Sequence, residues 1–401
     1  VVVLVWVVGG IISLFGALAI AELGALMPRA GGQYVFLREA FSPLWGFLYG
    51  WTAFVVIISG SISAIAVAFA TYLGYFFPMD SLAIKTVAIA SILFLTVINC
   101  FGVKLGAMVQ NGFTFVKIAA LGALILLSFL LSGGSAANFS PLLPSVPASS
   151  LLGSILVAMI AVLWAYDGWI EITFVAGEVI QPEKNIHRSL LLSTAIVVAL
   201  YVAINLGYIY VLGLEKISQS QLVASDAATV LMGPTGAAFV VAAVVISTFG
   251  ANNGFIITGA RIYYAMAKQR LFFRPFASVH AYYSTPIPSL LGQGIWASVL
   301  VLTGTYEQLF TYVVFASWVF YAMACGAVFI LRKRWPERDR PYRTWGFPYT
   351  SIIFILFASV LVVSSIWQNP KDSLIGIGMI VSGIPMYLFW SGKIRNADRV
   401  S

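Results

Sequence analysis

The run Trp164-Ala165-Tyr166-Asp167-Gly168-Trp169 sets a carboxylate inside an otherwise apolar stretch that continues from Ile170 to Val179. A carboxylate among hydrocarbon must face protein groups or water, since at the centre of a spanning helix it costs about 2.5–3.5 kcal/mol on insertion scales. Asp-Gly also weakens a helix from within: glycine lowers helical propensity, and aspartate competes for nearby backbone hydrogen bonds. An interrupted helix leaves N–H and C=O groups unpaired, which apolar surroundings tolerate only around a cavity. Such half-helix ends suit a zwitterion, N–H groups taking its carboxylate and carbonyls its ammonium. The same residues also fit a continuous helix in which Asp167 bonds a neighbour and the aromatics simply pack. Glu171, four residues on, shares a face with Asp167 if the helix is intact. Two carboxylates could act as acid and base in a membrane-embedded enzyme. His187 and His280, however, lie in polar loops and leave them without a partner.

Lys117 is the other charge inside an apolar segment, about two turns from its start. It either snorkels to the nearer surface or stands as a fixed ammonium against the carbonyls of broken helices, where a coupled transporter would hold a sodium ion. Glu22 ends an apolar run just before Pro28-Arg29-Ala30-Gly31-Gly32-Gln33-Tyr34, which favours a structural ion pair with a loop arginine. Ser247, Thr248, Asn252, Asn253 and Gly254 make a polar run that serves equally as glue between helices or as pocket lining. Trp296, Trp318 and Trp390 read as packing or interface anchors. Cys100 and Cys325 sit in or beside apolar segments, so neither a disulfide framework nor a cysteine metal site is expected.

The elements that must position these residues follow from composition. Of 401 residues 61% are hydrophobic and only 9% charged, and the mean hydropathy is +0.97. Soluble domains carry roughly 25% charged residues, so lipid is the solvent for most of this chain. A spanning helix needs about 20 apolar residues. On that criterion segments fall near 1–27, 43–76, 82–101, 106–131, 151–178, 189–212, 235–267, 287–304, 307–331, 347–367 and 373–391. They form a single transmembrane domain over 1–391, followed by a polar tail at 392–401. The longest loop opposite the basic side is 132–150, rich in Ser, Gly and Pro.

Alternating the loops puts nearly every cation on one side, among them Arg29, Arg38, Lys184, Arg188, Arg270, Arg274, Arg332, Arg340 and Lys393. The other side holds only Lys85, Lys216 and Lys371. The positive-inside rule makes the basic side cytoplasmic and places the C-terminus there. This bias accounts for the net charge of +8 without a nucleic-acid partner. Val1 then lies outside and already within a span, so the expectation is that one further helix precedes it.

Three blocks carry a resemblance. Ala21-Glu22-Leu23-Gly24 through Tyr34 resembles the second helix and first inner loop of the L-type amino-acid transporter branch of the amino acid–polyamine–organocation superfamily. Trp164 to Trp169, with Gly177-Glu178 and Gln181-Pro182-Glu183-Lys184-Asn185, resembles that branch's sixth helix and following loop. Gly250-Ala251-Asn252-Asn253-Gly254 to Arg261 resembles its eighth.

The resemblance implies an all-α integral membrane protein, a LeuT-like bundle of two inverted repeats, with about eleven helices here of an expected twelve. It implies sodium-independent exchange or uniport of neutral amino acids across the plasma membrane by alternating access. Trp164 would be the gate over the substrate, and Ala165, Tyr166, Asp167 and Gly168 the unwound stretch. Asn253 would stand on the eighth helix of the site, with Lys117 replacing the coupling cation. Ala251, Phe255, Ile170 and Glu171 depart from the branch's usual side chains. No cysteine falls between Ala70 and Ser81, so the disulfide-linked heavy subunit of animal relatives is not expected. Transport of polyamines or cationic amines, by proton coupling or exchange, is the nearest alternative. A channel would need a continuous polar stripe along several helices, whereas the polar residues here gather at mid-span.

Overall fold

The computed structural model describes residues 1–131, 133–140, 148–220, 222–303 and 306–400. Among them every regular element is helical. The chain opens with α1 (Val2–Leu26) and a short α2 (Gln33–Ala40), then α3 (Pro43–Thr52) runs through a π-helical stretch, Ala53–Ile57, into α4 (Ile58–Leu73). The hairpin of α5 (Ser81–Cys100) and α6 (Val103–Leu130) follows, then α7 (Ala148–Ala165). Irregular backbone leads to α8 (Pro182–Gln219), a short α9 (Val223–Met232) and α10 (Pro234–Lys268). The chain ends with α11 (Ile287–Thr303), α12 (Tyr306–Arg334), α13 (Tyr349–Gln368), α14 (Pro370–Val381) and α15 (Gly383–Val400). Proline opens α3, α8, α10 and α14, where its missing N–H costs nothing. Asp80 caps α5 by accepting from the Ala83 N–H at 2.8 Å.

Among the described residues nine helices are long and apolar enough to cross a membrane. Their outward faces carry side chains such as Phe115, Leu130 and Trp367, three-quarters exposed or more. In water that would be a severe liability; against lipid it is the expected surface.

Three elements differ from the sequence expectation. The segment anticipated at 151–178 is helical only to Ala165. The 189–212 segment belongs to a longer α8 that bends at Gly213, whose φ of 75° and ψ of 161° are not helical. The polar tail anticipated at 392–401 is helical as far as Val400, as part of α15. Of the anticipated loop at 132–150, residues 132 and 141–147 lie outside the described residues, Ala136–Phe139 forms a 3-10 turn and α7 already begins at Ala148.

Two groups of helices frame the middle of the molecule. In one, α1 packs against α7, α8, α12 and α13; in the other, α10 packs against α4, α5, α6, α9 and α11. α12 touches both α13 and α4 and so ties the groups together. The π-helical stretch shifts the hydrogen-bond register inside a span, and side chains take up its carbonyls. Tyr263 Oη donates to Ala53 O at 3.2 Å, and Trp296 Nε1 donates to Val55 O at 3.0 Å.

The basic end is fastened by one carboxylate. Glu22, at the foot of α1 and 1% exposed, accepts from Arg332 Nη2 at 2.6 Å and Nε at 2.9 Å. It also accepts from the Thr344 N–H and hydroxyl, each at 2.7 Å, with Arg340 Nε 3.2 Å away. This is the structural pairing its position suggested. It joins α1 to the end of α12 and the loop beyond.

Candidate functional site

The site grows from the failure of a helix. α7 stops at Ala165, and from Tyr166 to Gln181 the backbone proceeds by tight turns and two short 3-10 turns, Glu171–Thr173 and Ala176–Glu178. Gly168 takes φ = +105°, which an L side chain rarely adopts, and this turns the chain out of the helix. Among the described residues no backbone N–H reaches the carbonyls of Ala165, Tyr166 or Asp167.

Close packing supports the broken stretch from the basic side. The Gly31 N–H donates to Phe174 O at 3.0 Å. Gly32, at φ = +41°, comes so near that an added Cβ would sit 2.3 Å from Thr173 Oγ1. The Gly31-Gly32 pair is therefore what lets the loop after α1 nestle against this segment.

Beside the break lies a cavity of about 470 Å³, within the usual range for small-molecule sites. One wall is Asp167, Gly168, Glu171, Val175 and Glu178; facing it are Ala251, Gly254, Phe255 and Thr258 of α10 and Gln110 and Asn111 of α6. Helical spacing explains the α10 stripe, since 251, 254, 255 and 258 recur at i, i+3, i+4 and i+7.

The carboxylates are held by named donors. Tyr321 Oη donates to Asp167 Oδ1 at 2.6 Å, and the Gly168 N–H donates to the same oxygen at 2.9 Å. The Thr258 hydroxyl donates to Glu171 Oε2. Glu178 pairs with Arg261, whose Nε lies 2.9 Å from Oε1 and Nη2 3.3 Å from Oε2. Arg261 also donates to Ile257 O at 2.8 Å and is 2% exposed. Among the described residues no Lys or Arg lines the cavity, whereas Asp167, Glu171 and Glu178 all do.

The anticipated residues divide. Asp167 and Gly168 line the cavity; Trp164, Ala165, Tyr166, Asn253 and Lys117 are not on its wall. Trp164 is half-buried against the main core. Tyr166 turns the other way, donating to Trp6 O at 3.1 Å and packing edge-on against the Trp6 ring.

Asn253 is fully buried. Its Oδ1 accepts from Asn99 Nδ2 at 2.8 Å, and its Nδ2 donates to Gln110 Oε1 at 3.1 Å. Two residues from Ala251 is about 200° around a helix, so Asn253 faces the packed side of α10.

Lys117 lies fourteen residues after Val103, roughly 20 Å along α6. It is therefore deeper than the two turns expected. It lines a separate cavity of about 100 Å³ with Tyr208, Val240 and Ser247.

Sequence reasoning missed Tyr321, Thr258 and the Arg261–Glu178 pair as members of the site. The signal for the α10 residues was present, because Gly254, Thr258 and Arg261 share one helical face. Nothing in the α12 sequence singles out Tyr321.

Comparison with known proteins agrees with this architecture. The Amino acid permease family model matches residues 1–390. The serine/threonine exchanger SteT of Bacillus subtilis is 32% identical over 95% of this chain and 86% of its own length. The b(0,+)-type amino acid transporter 1 of Mus musculus is 31% identical over 99% of this chain and 82% of its own length. The large neutral amino acids transporter small subunit 2 of Oryctolagus cuniculus is 32% identical, covering 98% of this chain and 74% of that protein.

Proposed function

Because the chain belongs to the amino acid permease family, a family of LeuT-like inverted-repeat membrane transporters, we propose that it exchanges amino acids by alternating access around the break after Ala165. The observation that carries this reading is the interrupted backbone at Ala165–Gly168 opening onto a cavity between the two helix groups. Peptide groups released from a helix are suited to a zwitterion, because each end of the break offers one sign of partial charge. The relatives' printed names, a serine/threonine exchanger and a large neutral amino acids transporter, favour neutral substrates and exchange.

In this reading α7 and the broken stretch move with α1 and α8 against α4 and α10. Trp164 closes the route opposite the basic end. The Glu178–Arg261 pair holds the moving segment to α10 at the basic end. Lys117 is the fixed cation that makes a sodium ion unnecessary. The basic end is cytoplasmic, and the protein resides in the plasma membrane. With no cysteine between Ala70 and Ser81, the reading involves no heavy subunit linked through that loop. A transporter is favoured over an enzyme by the relatives' names and by the partners of Asp167 and Glu171, which are hydroxyls rather than a base.

One observation favours a second reading. A cavity walled by Asp167 and Glu171, whose described partners are hydroxyls and a backbone N–H, and by Glu178, which Arg261 neutralises, suits a substrate with a second positive charge, such as a basic amino acid or polyamine. Counterflow in proteoliposomes separates the two. Serine or leucine exchange without sodium supports the first reading, and exchange confined to arginine, agmatine or putrescine supports the second. No counterflow of any of these compounds would sink both.

A further inference from the structure

The cavity of about 100 Å³ that holds Lys117 is lined by residues of α6, α8, α9 and α10. Three of its side chains carry a hydrogen-bond donor: Lys117 of α6, Tyr208 of α8 and Ser247 of α10. The others are apolar, among them Leu121, Leu124, Val240 and Val244. Among the described residues no Asp or Glu lines it.

None of the three donors is spent on the protein. Among the described residues no carboxylate pairs with Lys117, and neither its Nζ nor Tyr208 Oη nor Ser247 Oγ makes a hydrogen bond. Their surroundings behave differently. Thr248, the next residue after Ser247, gives its hydroxyl to Val244 O at 2.9 Å. Arg332 is engaged by Glu22, Arg261 by Glu178, and Lys85 donates to Leu302 O at 3.3 Å.

Depth sharpens the contrast. Lys117 sits midway along the 28 residues of α6, equally far from both of its ends. An ammonium at that level must be met by protein, water or a counter-ion. The carboxylates beside the broken stretch line a different cavity.

We propose that the Lys117 cavity binds a small monovalent inorganic anion, chloride, between Lys117, Tyr208 and Ser247. One ammonium balances one negative charge, whereas phosphate or sulfate would leave uncompensated charge among hydrocarbon. Each hydroxyl can turn its O–H toward the ion and adds no charge of its own. The volume suits an ion or about three water molecules. An amino acid belongs in the larger cavity of about 470 Å³. The bound ion would join α6 to α8 and α10, whether or not the chain exchanges amino acids.

The test is equilibrium binding of radiolabelled chloride to the full chain in detergent, with gluconate as the background anion. Wild type should bind it saturably, one ion per chain. Tyr208→Phe and Ser247→Ala each delete one hydroxyl and leave the charge in place. Each should weaken binding on the order of ten-fold, and Lys117→Met should abolish it. Lys85→Gln, on α5, should leave it unchanged. The proposal is overturned if wild type binds no chloride, if both hydroxyl variants bind as tightly as wild type, or if Lys85→Gln loses as much. Displacement of chloride by micromolar oleate also overturns it, since the ammonium would then receive a lipid carboxylate. The assay involves no transport, so its failure and a failure of counterflow are separate results.

Discussion

Glu171 and Lys117 are the residues at which removing a single charge tests the proposed readings. Glu171 lines the cavity and accepts from Thr258 of the opposite wall. Replacing it with glutamine keeps the shape and an acceptor for that hydroxyl while removing one negative charge. If the acidic wall selects cationic substrates, Glu171→Gln lowers arginine or polyamine counterflow several-fold more than serine counterflow. If neutral amino acids are the substrates, serine exchange persists. Lys117 projects into a cavity beside Tyr208 and Ser247, apart from the carboxylates. A mid-membrane ammonium costs about 2.5–3.5 kcal/mol unless it is solvated or serves the transport cycle. Lys117→Ala should therefore remove most counterflow, and added sodium should not restore it. Normal rates in that variant would reduce the lysine to a residue that snorkels. Asp167 was readable as a candidate because a charge among apolar neighbours stands out at any position, and it lines the cavity. Asn253 drew the same attention in a polar run, yet only its angular offset from Ala251, Gly254 and Thr258 tells that it faces Asn99 and Gln110.

For the elements, the decisive structure is the irregular segment between α7 and α8. Gly168 allows its effect to be measured cleanly, because an added Cβ meets nothing within 4 Å. Gly168→Ala therefore acts through φ = +105° alone and should cost about 1–2 kcal/mol. The measurement is thermal unfolding in detergent, with a parallel fall in counterflow as the break resists its native turn. Glu178→Gln tests the fastening to α10. It leaves Arg261 buried with the Ile257 carbonyl and one amide oxygen as acceptors and without an opposite charge. Because Glu178 is one-third exposed, solvent screening holds the loss to the low end of charge-assisted bonds, about 1–2 kcal/mol. The freed segment should open the cavity more often, so that a cysteine placed at Ala251 reacts faster with maleimide. Cys100 and Cys325 are buried and give little background. The break itself was legible from Asp167-Gly168, a pair that opposes helix inside an apolar run. α9 and the π-helical turn at Ala53–Ile57 were not. The first is apolar but, at ten residues, far too short to read as a span, and the second is a change of hydrogen-bond register that leaves hydrophobicity untouched.

In the whole molecule, the distribution of cations is the strongest pattern, and it yields the prediction about placement in the membrane. Contacts join several of the cationic helix ends: Arg332 reaches Glu22 at the foot of α1, Arg334 donates to Glu39 O beside Arg38, and Arg274 and Lys393 line one concavity. A helix end rich in Lys and Arg is retained on the cytoplasmic side during insertion, whereas acidic residues contribute little to the choice. The opposite loops offer Lys85, Lys216 and Lys371 alone. A green fluorescent protein fused after Ser401 should therefore fluoresce, and alkaline phosphatase at the same junction should stay inactive. The reverse pair of results would invert the bundle and put the Glu178–Arg261 fastening on the outer face. Topology also constrains direction of access. The cavity beside Asp167 extends along the wall to Glu178 and Val179, towards the basic end, where the loop after α1 packs on the broken stretch. With that end cytoplasmic, the conformation described here is one that receives or releases its substrate inside. A cysteine at Val179 in the fusion-verified orientation should then react with a membrane-impermeant maleimide only after the cells are opened.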